Sequence, residues 1–171
     1  LAGDEEIAHR NSTMAREFEA RSTGCIAAFN CETGTPSNKI VVGRKGVIQY
    51  RMTVRGLAVH AGREPQKGRS AILELARKIV DIHNLTDYDR GLTCNVGTVK
   101  GGVVINAVPD FAQAGIDIRC MTLEQIAEAK ESLTAIAAKN YIDGTHTELE
   151  FTSSFLPMTQ TEGNERLFKY V

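Results

Sequence analysis

The chain has 171 residues, of which 42% are apolar and 24% charged, with a formal net charge of −1. That length buries roughly 70% of the surface an unfolded chain exposes, enough for one domain or one and a half, and the near-balance of charge argues against electrostatic capture of nucleic acid. No apolar run approaches the ~20 residues of a membrane span, no basic-then-apolar leader opens the chain, and the four cysteines (Cys25, Cys31, Cys94, Cys120) contain no C-x-x-C pair, which points to reduced thiols in a cytoplasmic protein and away from a disulfide scaffold or a thiolate zinc knuckle.

In chain order, residues 11–21 predict a helix with Met14, Phe18 and Ala15 on one face and Asn11 or Ser12 as its cap. Cys25 to Phe29 is a short apolar run without polar alternation and predicts a buried strand. Residues 33–38 predict a turn and Lys39 to Val42 another short strand, with a domain boundary at the Gly43–Gly46 punctuation. Val47 to Val54 alternates, with Ile48, Tyr50, Met52 and Val54 on one face, as a half-buried antiparallel strand does. A loop containing His60-Ala61-Gly62 follows. Next comes a helix over 69–83 whose apolar residues Ile72, Leu75, Ala76, Ile79, Val80 and Ile82 fall at helical spacing. Leu92 to Val99 predicts a strand, Lys100-Gly101-Gly102 a turn, Val103 to Ile105 the start of a return, and Phe111 to Cys120 a further strand. Thr122 with Gln125 makes a capping box for a helix carrying Ile126, Ala129, Leu133, Ile136 and Ala137 on one stripe. Thr147 to Phe155 alternates again, with Leu149, Phe151 and Ser153 on one side, and a last helix begins near Asn164. The order β-α-β-β-α-β predicts a ferredoxin-like α+β domain, a four-stranded antiparallel sheet with two helices on one face.

Several residues have the chemistry of a site, each with a plainer alternative. Asp4-Glu5-Glu6 reads either as an acidic helix start or as a general base beside a metal-binding carboxylate. Glu32 follows the apolar run, where carboxylates serve as ligands or as turn residues. His60 is a loop histidine whose small neighbours let a partner approach. Asn106 suits a turn. Asp117 and Arg119 share a strand face, either as a surface ion pair or with Arg119 as a fork for a substrate carboxylate.

Together, Glu5-Glu6, Glu32, Gly56 with His60-Ala61-Gly62, Ala71, Gly101-Gly102, Asn106-Ala107-Val108-Pro109 and Asp117-Ile118-Arg119 resemble the dizinc aminoacylase and carboxypeptidase family. That family includes glutamate carboxypeptidases, succinyl-diaminopimelate desuccinylase, acetylornithine deacetylase and peptidase T. The resemblance spans nearly the whole chain, and its most specific parts are the histidine loop and the thirteen-residue interval from Asn106 to Arg119. It implies a catalytic α/β domain carrying an inserted dimerisation, or lid, domain. Residues 1–46 then correspond to a remnant of the catalytic domain, 47–158 to the lid and 159–171 to the return. The first residue, Leu1, and a last residue inside a helix agree with a piece of a longer protein.

The resemblance implies Glu5 as general base, Glu6 and Glu32 as ligands to two zinc ions, and His60 reaching into the partner subunit to polarise the scissile carbonyl. Asn106 and Arg119 would hold the substrate's terminal carboxylate. Two departures stand out: Ile7-Ala8-His9 follows the Glu pair where the family has a small pair, and Asn30 competes with Glu32 for the ligand position. The further zinc ligands of the family have no counterpart here, so the expectation is weak or absent zinc binding, no catalysis by this chain alone and a homodimer formed through the lid. The substrate is expected to be a small peptide or N-acyl amino acid, with neither nucleic acid nor membrane as partner. Rival readings are an N-acyl amino acid deacylase of the same family and a stand-alone ferredoxin-like binding module.

Overall fold

The computed structural model describes residues 13–29 and 39–170. The elements are α1 (Met14–Ser22), β1 (Gly46–Arg55), β2 (Val59–His60), α2 (Ala71–His83), β3 (Thr93–Gly101), β4 (Ala107–Val108), β5 (Phe111–Cys120), α3 (Leu123–Ala138), β6 (His146–Phe155) and α4 (Glu162–Phe168), with a 3-10 turn at Pro65–Lys67. Residues 45–157 form one compact unit, and the described residues up to 44 with those from 158 a second.

In the larger unit the four long strands make one sheet in the order β3-β5-β1-β6, every neighbouring pair antiparallel. This is the expected ferredoxin-like plan, with β1 and β5 central and β3 and β6 at the edges. The alternation of β1 sets its orientation: Ile48, Tyr50, Met52 and Val54 are buried beneath the helices. On β5, Ala112, Ala114, Ile116, Ile118 and Cys120 do the same. α2 lies against β3, β5 and β1, and α3 against β6 and β5. Full burial of a side chain such as Met52, Leu75, Ile82, Ile118 or Leu133 contributes about 1.5–3 kcal/mol. Cys94 and Cys120 are free thiols in this core, and burial, reinforced by the neighbouring Cys120, pushes the Cys94 thiol up to about 11.

α3 starts where its sequence says. The Thr122 hydroxyl accepts from the Gln125 N–H at 3.3 Å, and Gln125 Oε1 accepts from the Met121 and Thr122 N–H groups at 2.6 and 3.3 Å. Gln125 also donates to the Arg90 carbonyl at 2.9 Å, so the cap pins the loop before β3.

The inward stripe of α2 differs from expectation. Its buried residues are Ala71, Glu74, Leu75, Lys78 and Ile82, whereas Ile72, Leu73, Ala76 and Val80 are exposed. This helix is apolar on two sides, and only one covers the sheet. Glu74 and Lys78 are both 0% exposed and form an ion pair at 3.1 Å. Lys78 Nζ also donates to the carbonyls of Ile136 (2.8 Å), Ala137 (3.1 Å) and Lys139, which are among the orphan acceptors at the C-terminus of α3. Glu74 Oε2 accepts from the N–H groups of Tyr141 (2.9 Å) and Ile142 (2.6 Å). The pair therefore serves both as a charge couple and as a cap that joins α2 to the turn between α3 and β6.

Other expectations need correction. Cys25 to Phe29 is not a strand; Cys25 is exposed, Ile26 fully exposed and Phe29 largely so. A buried strand needs ladder partners, and no described strand pairs with this run. Lys39 to Val42 is not a strand either, the nearest pairing being the isolated bridge of Arg44 to Met158. Residues 103–105 do not start a return strand: Gly102, at φ 68, turns the chain out of β3. Ser153 does not share a face with Leu149. The β6 register shifts by one residue between the partners of Gln49 and Tyr50, skipping Thr152, and this bulge sends Ser153 to the exposed face opposite Gln49. α1 begins after Thr13, which makes no side-chain cap; Asn11, Ser12, the side chains of Met14 and Ala15, and the turn at 33–38 lie outside the described residues. In this smaller unit α4 is capped by Thr161, whose hydroxyl accepts from Asn164 N–H at 3.3 Å, and the Asn164 amide donates to the Val42 carbonyl at 3.3 Å.

Lys78→Met leaves the Glu74 carboxylate buried beside an apolar chain and strips three carbonyls of their donor. Breaking a buried pair from one side costs about 3–5 kcal/mol, so urea unfolding of this chain should show a loss of that size. A loss under about 1 kcal/mol, the ordinary value of an exposed pair, would contradict the role given to the couple.

Candidate functional site

His60 sits on β2, which pairs with β4 in a two-residue ladder, Val59↔Val108 and His60↔Ala107. The Asn106 carbonyl accepts from the Ala61 N–H at 2.9 Å, so His60 and Asn106 are brought side by side, both exposed. Glycines make this corner possible. A Cβ on Gly56 would lie 1.9 Å from the Arg69 carbonyl oxygen, and one on Gly68 within 2.9 Å of both Val59 and Val108. Gly56 thus permits the bridge between Leu57 and Arg69 that closes the loop, and Gly68 lets the 3-10 turn lie on the small ladder.

The His60 ring is oriented. Its Nδ1 accepts a hydrogen bond from the Gly62 N–H at 3.0 Å. A backbone N–H can only donate, so Nδ1 is unprotonated and the neutral ring carries its proton on Nε2. The atom turned away from the loop is therefore a donor, suited to an oxygen that gains negative charge.

Arg119 lies elsewhere. β5 begins at Phe111, three residues after β4, and Arg119 is eight residues further along it. At ~3.4 Å per residue that is about 27 Å of straight strand, beyond the span of any two side chains. Within one chain the length of β5 thus lies between the turn that carries Asn106 and the position of Arg119. On the exposed sheet face Arg119 Nε and Nη2 donate to Asp117 Oδ1 and Oδ2 at 2.7 and 3.2 Å. Gln49 Nε2 donates to Asp117 Oδ2 at 3.0 Å. Burial pushes the Asp117 carboxyl up, but the hydrogen bonds from Arg119 and Gln49 and the guanidinium charge outweigh it, and the group titrates below its ordinary value. Beside this row the sheet face sinks around Gly97 and Gly115 into an open hollow rimmed by Arg51, Lys100, Gln113 and Asp117.

Glu5, Glu6 and Glu32 lie outside the described residues. Among the described residues no three His, Cys, Asp or Glu side chains come together to hold a metal ion, so the donors present there do not fit a zinc site. No described helix is long and apolar enough to cross a membrane.

The sequence places association on the strand near Leu92 to Val99 or its neighbour, with the helix from Arg69 to His83; two features of that region it did not show. One is the side-chain capping of the β3 edge. The Thr86 hydroxyl accepts from the Cys94 N–H (3.0 Å) and donates to the Cys94 carbonyl (3.3 Å), while His83 Nε2 accepts from the Val96 N–H (3.3 Å). Side chains thus cap the first half of this edge, and the capping stops at the irregularity around Gly97. The other is a set of exposed apolar side chains on the neighbouring elements, Ile72, Leu73 and Val80 of α2, Val99 of β3 and the loop residues Val103 and Ile105, the last two almost fully exposed.

The Peptidase dimerisation domain family matches residues 42–145, more than half of the chain. The chain belongs to that family. It is 38% identical over 117 residues to a probable carboxypeptidase of Uncinocarpus reesii, covering 60% of this chain and 25% of that protein. It is 24% identical over 164 residues to carboxypeptidase G2 of Pseudomonas sp., covering 96% of this chain and 39% of that protein. Among solved structures, the aminopeptidase PepT of Bacillus cereus superposes with a TM-score of 0.61 at 26% identity, over 75% of this chain and 35% of that one. The chain thus spans a quarter to two fifths of the length of these relatives.

The Asp117 carboxyl should titrate below the ~3.9 of a free aspartate. Its folded value is depressed, so the stabilisation it contributes is present above the unfolded value and is lost as pH falls through the folded one. Carbon-13 NMR of the Asp117 carboxyl should give a midpoint under ~3.9, moving upward in Arg119→Ala. A midpoint at or above the ordinary value, unmoved by that substitution, would contradict the pairing.

Proposed function

We propose that this chain is the dimerisation domain, with flanking segments, of a longer hydrolase that cleaves an amide bond next to a free carboxylate, and that its two candidate half-sites serve different active sites of a homodimer. The observation that carries this reading is the separation along β5 of the His60–Asn106 corner from Arg119. A corner that precedes the start of β5 and a guanidinium about 27 Å further along that strand meet on one small substrate only if they come from two subunits. His60, with Nε2–H as donor, and Asn106 act in the partner's site; Arg119 binds the substrate carboxylate in its own.

The relatives' names support the reaction class, since they are carboxypeptidases and an aminopeptidase. In the longer protein Glu5 would be the general base, and Glu6 and Glu32 donors to zinc. Substrate choice between a glutamate-type peptide and an N-acyl amino acid rests on the same Arg119, which takes a carboxylate from either.

The second copy docks on the β3 edge and the outer side of α2. Thr86 and His83 cap the edge as far as Val96, which directs strand pairing to the stretch after Gly97. The exposed side chains of Ile72, Leu73, Val80 and Val99 supply apolar burial. Val80→Lys should convert a dimer of this chain to monomer in sedimentation equilibrium while leaving its far-UV spectrum unchanged; a dimer that survives would reject this face.

The shared site is tested by mixing subunits of the longer protein. His60→Ala should lower kcat by roughly 10²–10³, the loss expected for an oxyanion donor, and Arg119→Ala should raise KM. In a mixed dimer of the two variants one site receives both lesions and the other neither, so activity should return to about half of the parent per dimer. Measured well below the parental KM, where each variant alone is poor, a mixture no more active than the average of the two variants, with subunit exchange verified, would show that both residues act on the same side.

A further inference from the structure

At one level of the sheet the register lines up a residue from each of the four strands: Ser153 of β6, Gln49 of β1, Asp117 of β5 and Asn95 of β3. Three of them are joined. The Ser153 hydroxyl donates to Gln49 Oε1 at 2.7 Å, and Gln49 Nε2 donates to Asp117 Oδ2 at 3.0 Å. Asp117 in turn receives Arg119 through Nε and Nη2. The direction of the chain follows from its chemistry. An ionised carboxylate only accepts, so the amide nitrogen of Gln49 must face Asp117, its oxygen must face Ser153, and the serine must donate. The β6 bulge is what brings Ser153 to this face; with regular pairing it would sit under the helices.

A guanidinium has two bidentate edges, one formed by Nε with a terminal nitrogen and one by the two terminal nitrogens. Asp117 occupies the first. We propose that Asp117, held by Gln49 and through it by Ser153, is a positioning residue that locks the Arg119 guanidinium so that only its terminal edge is presented to a substrate carboxylate. This inference rests on the reading of Arg119 as the carboxylate-binding residue. Charge alone predicts the opposite role. The Asp117 carboxylate offsets the charge of Arg119, so on a purely Coulombic account its removal should strengthen anion binding, whereas on a positioning account its removal weakens it.

The test uses the longer protein with N-benzoyl-glutamate and its α-carboxamide counterpart as probes, and this chain for a readout that needs no turnover. Asp117→Asn should raise KM for the carboxylate probe about tenfold, the scale of one lost charge-assisted hydrogen bond, with kcat nearly unchanged and the carboxamide unaffected. Gln49→Leu should move KM in the same direction by a smaller factor. In this chain the Arg119 Nε–H NMR signal should be resolved from the other arginines and should merge with them in Gln49→Leu. A lower or unchanged KM in Asp117→Asn, or an Arg119 signal unmoved by Gln49→Leu, overturns the inference. Arg119→Ala separates this from the reading beneath it. If that variant keeps the preference for carboxylate over carboxamide, the role of Arg119 fails. If it abolishes the preference while Asp117→Asn and Gln49→Leu keep the parental KM, only the positioning role fails.

Discussion

Strand β5 is paired along its whole length, by β1 from Gly46↔Cys120 to Arg55↔Phe111 and by β3 from Thr93↔Arg119 to Gly101↔Ala112. A strand held on both sides can neither shorten nor swing, because any such change breaks a run of ladder hydrogen bonds at once. At its start β5 is tied to the His60–Asn106 corner: the Asp110 carbonyl accepts from Gly56 and the Pro109 carbonyl from Ala71, each at 2.8 Å. At its end it carries Arg119. The distance between the two groups is thus a property of the fold and not of a loop. Under the proposed function, in which both groups serve one substrate, this separation calls for a second copy to bring them together.

The helices supply the second requirement, a surface for the second copy. An apolar side of α2 left in water would favour rotation of the helix toward the core. The Glu74–Lys78 couple opposes that rotation, because the hydrogen-bond partners of both groups lie only at the end of α3 and the turn at Tyr141–Ile142. Such a couple contributes little net stability over an apolar pair, but any misplacement of the helix strands two charges. On this account the polar couple fixes the rotation of α2, and Ile72, Leu73 and Val80 are left facing outward for association.

Much of this was legible in the residues. β1, β5 and the α3 cap follow from period-two alternation and from the Thr122–Gln125 box, both local signals that tertiary packing reinforces. The ferredoxin-like order followed from these. What was not legible depends on contacts distant in sequence. Glu74 and Lys78 have the i,i+4 spacing of an ordinary surface pair, and only their place among Ala71, Leu75 and Ile82 on the inward side marks them as buried. The run from Cys25 to Phe29 has strand composition but no described partner. The two-residue ladder of β2 with β4 is too short to leave a periodic trace, yet it joins His60 to Asn106. The pairing of Asp117 with Arg119 was visible in their i,i+2 spacing, whereas Gln49 and Ser153 join them only through cross-strand register and a bulge.

Under the proposed function one subunit never completes a site. The most direct measurement is specific activity of the longer protein against its own concentration, diluted through the dimer dissociation constant fixed by sedimentation. Activity per subunit should fall in step with the dimer fraction and approach zero for the monomer, because a monomer lacks the partner's His60. Specific activity that stays constant while the protein dissociates would contradict the claim and return both half-sites to a single chain.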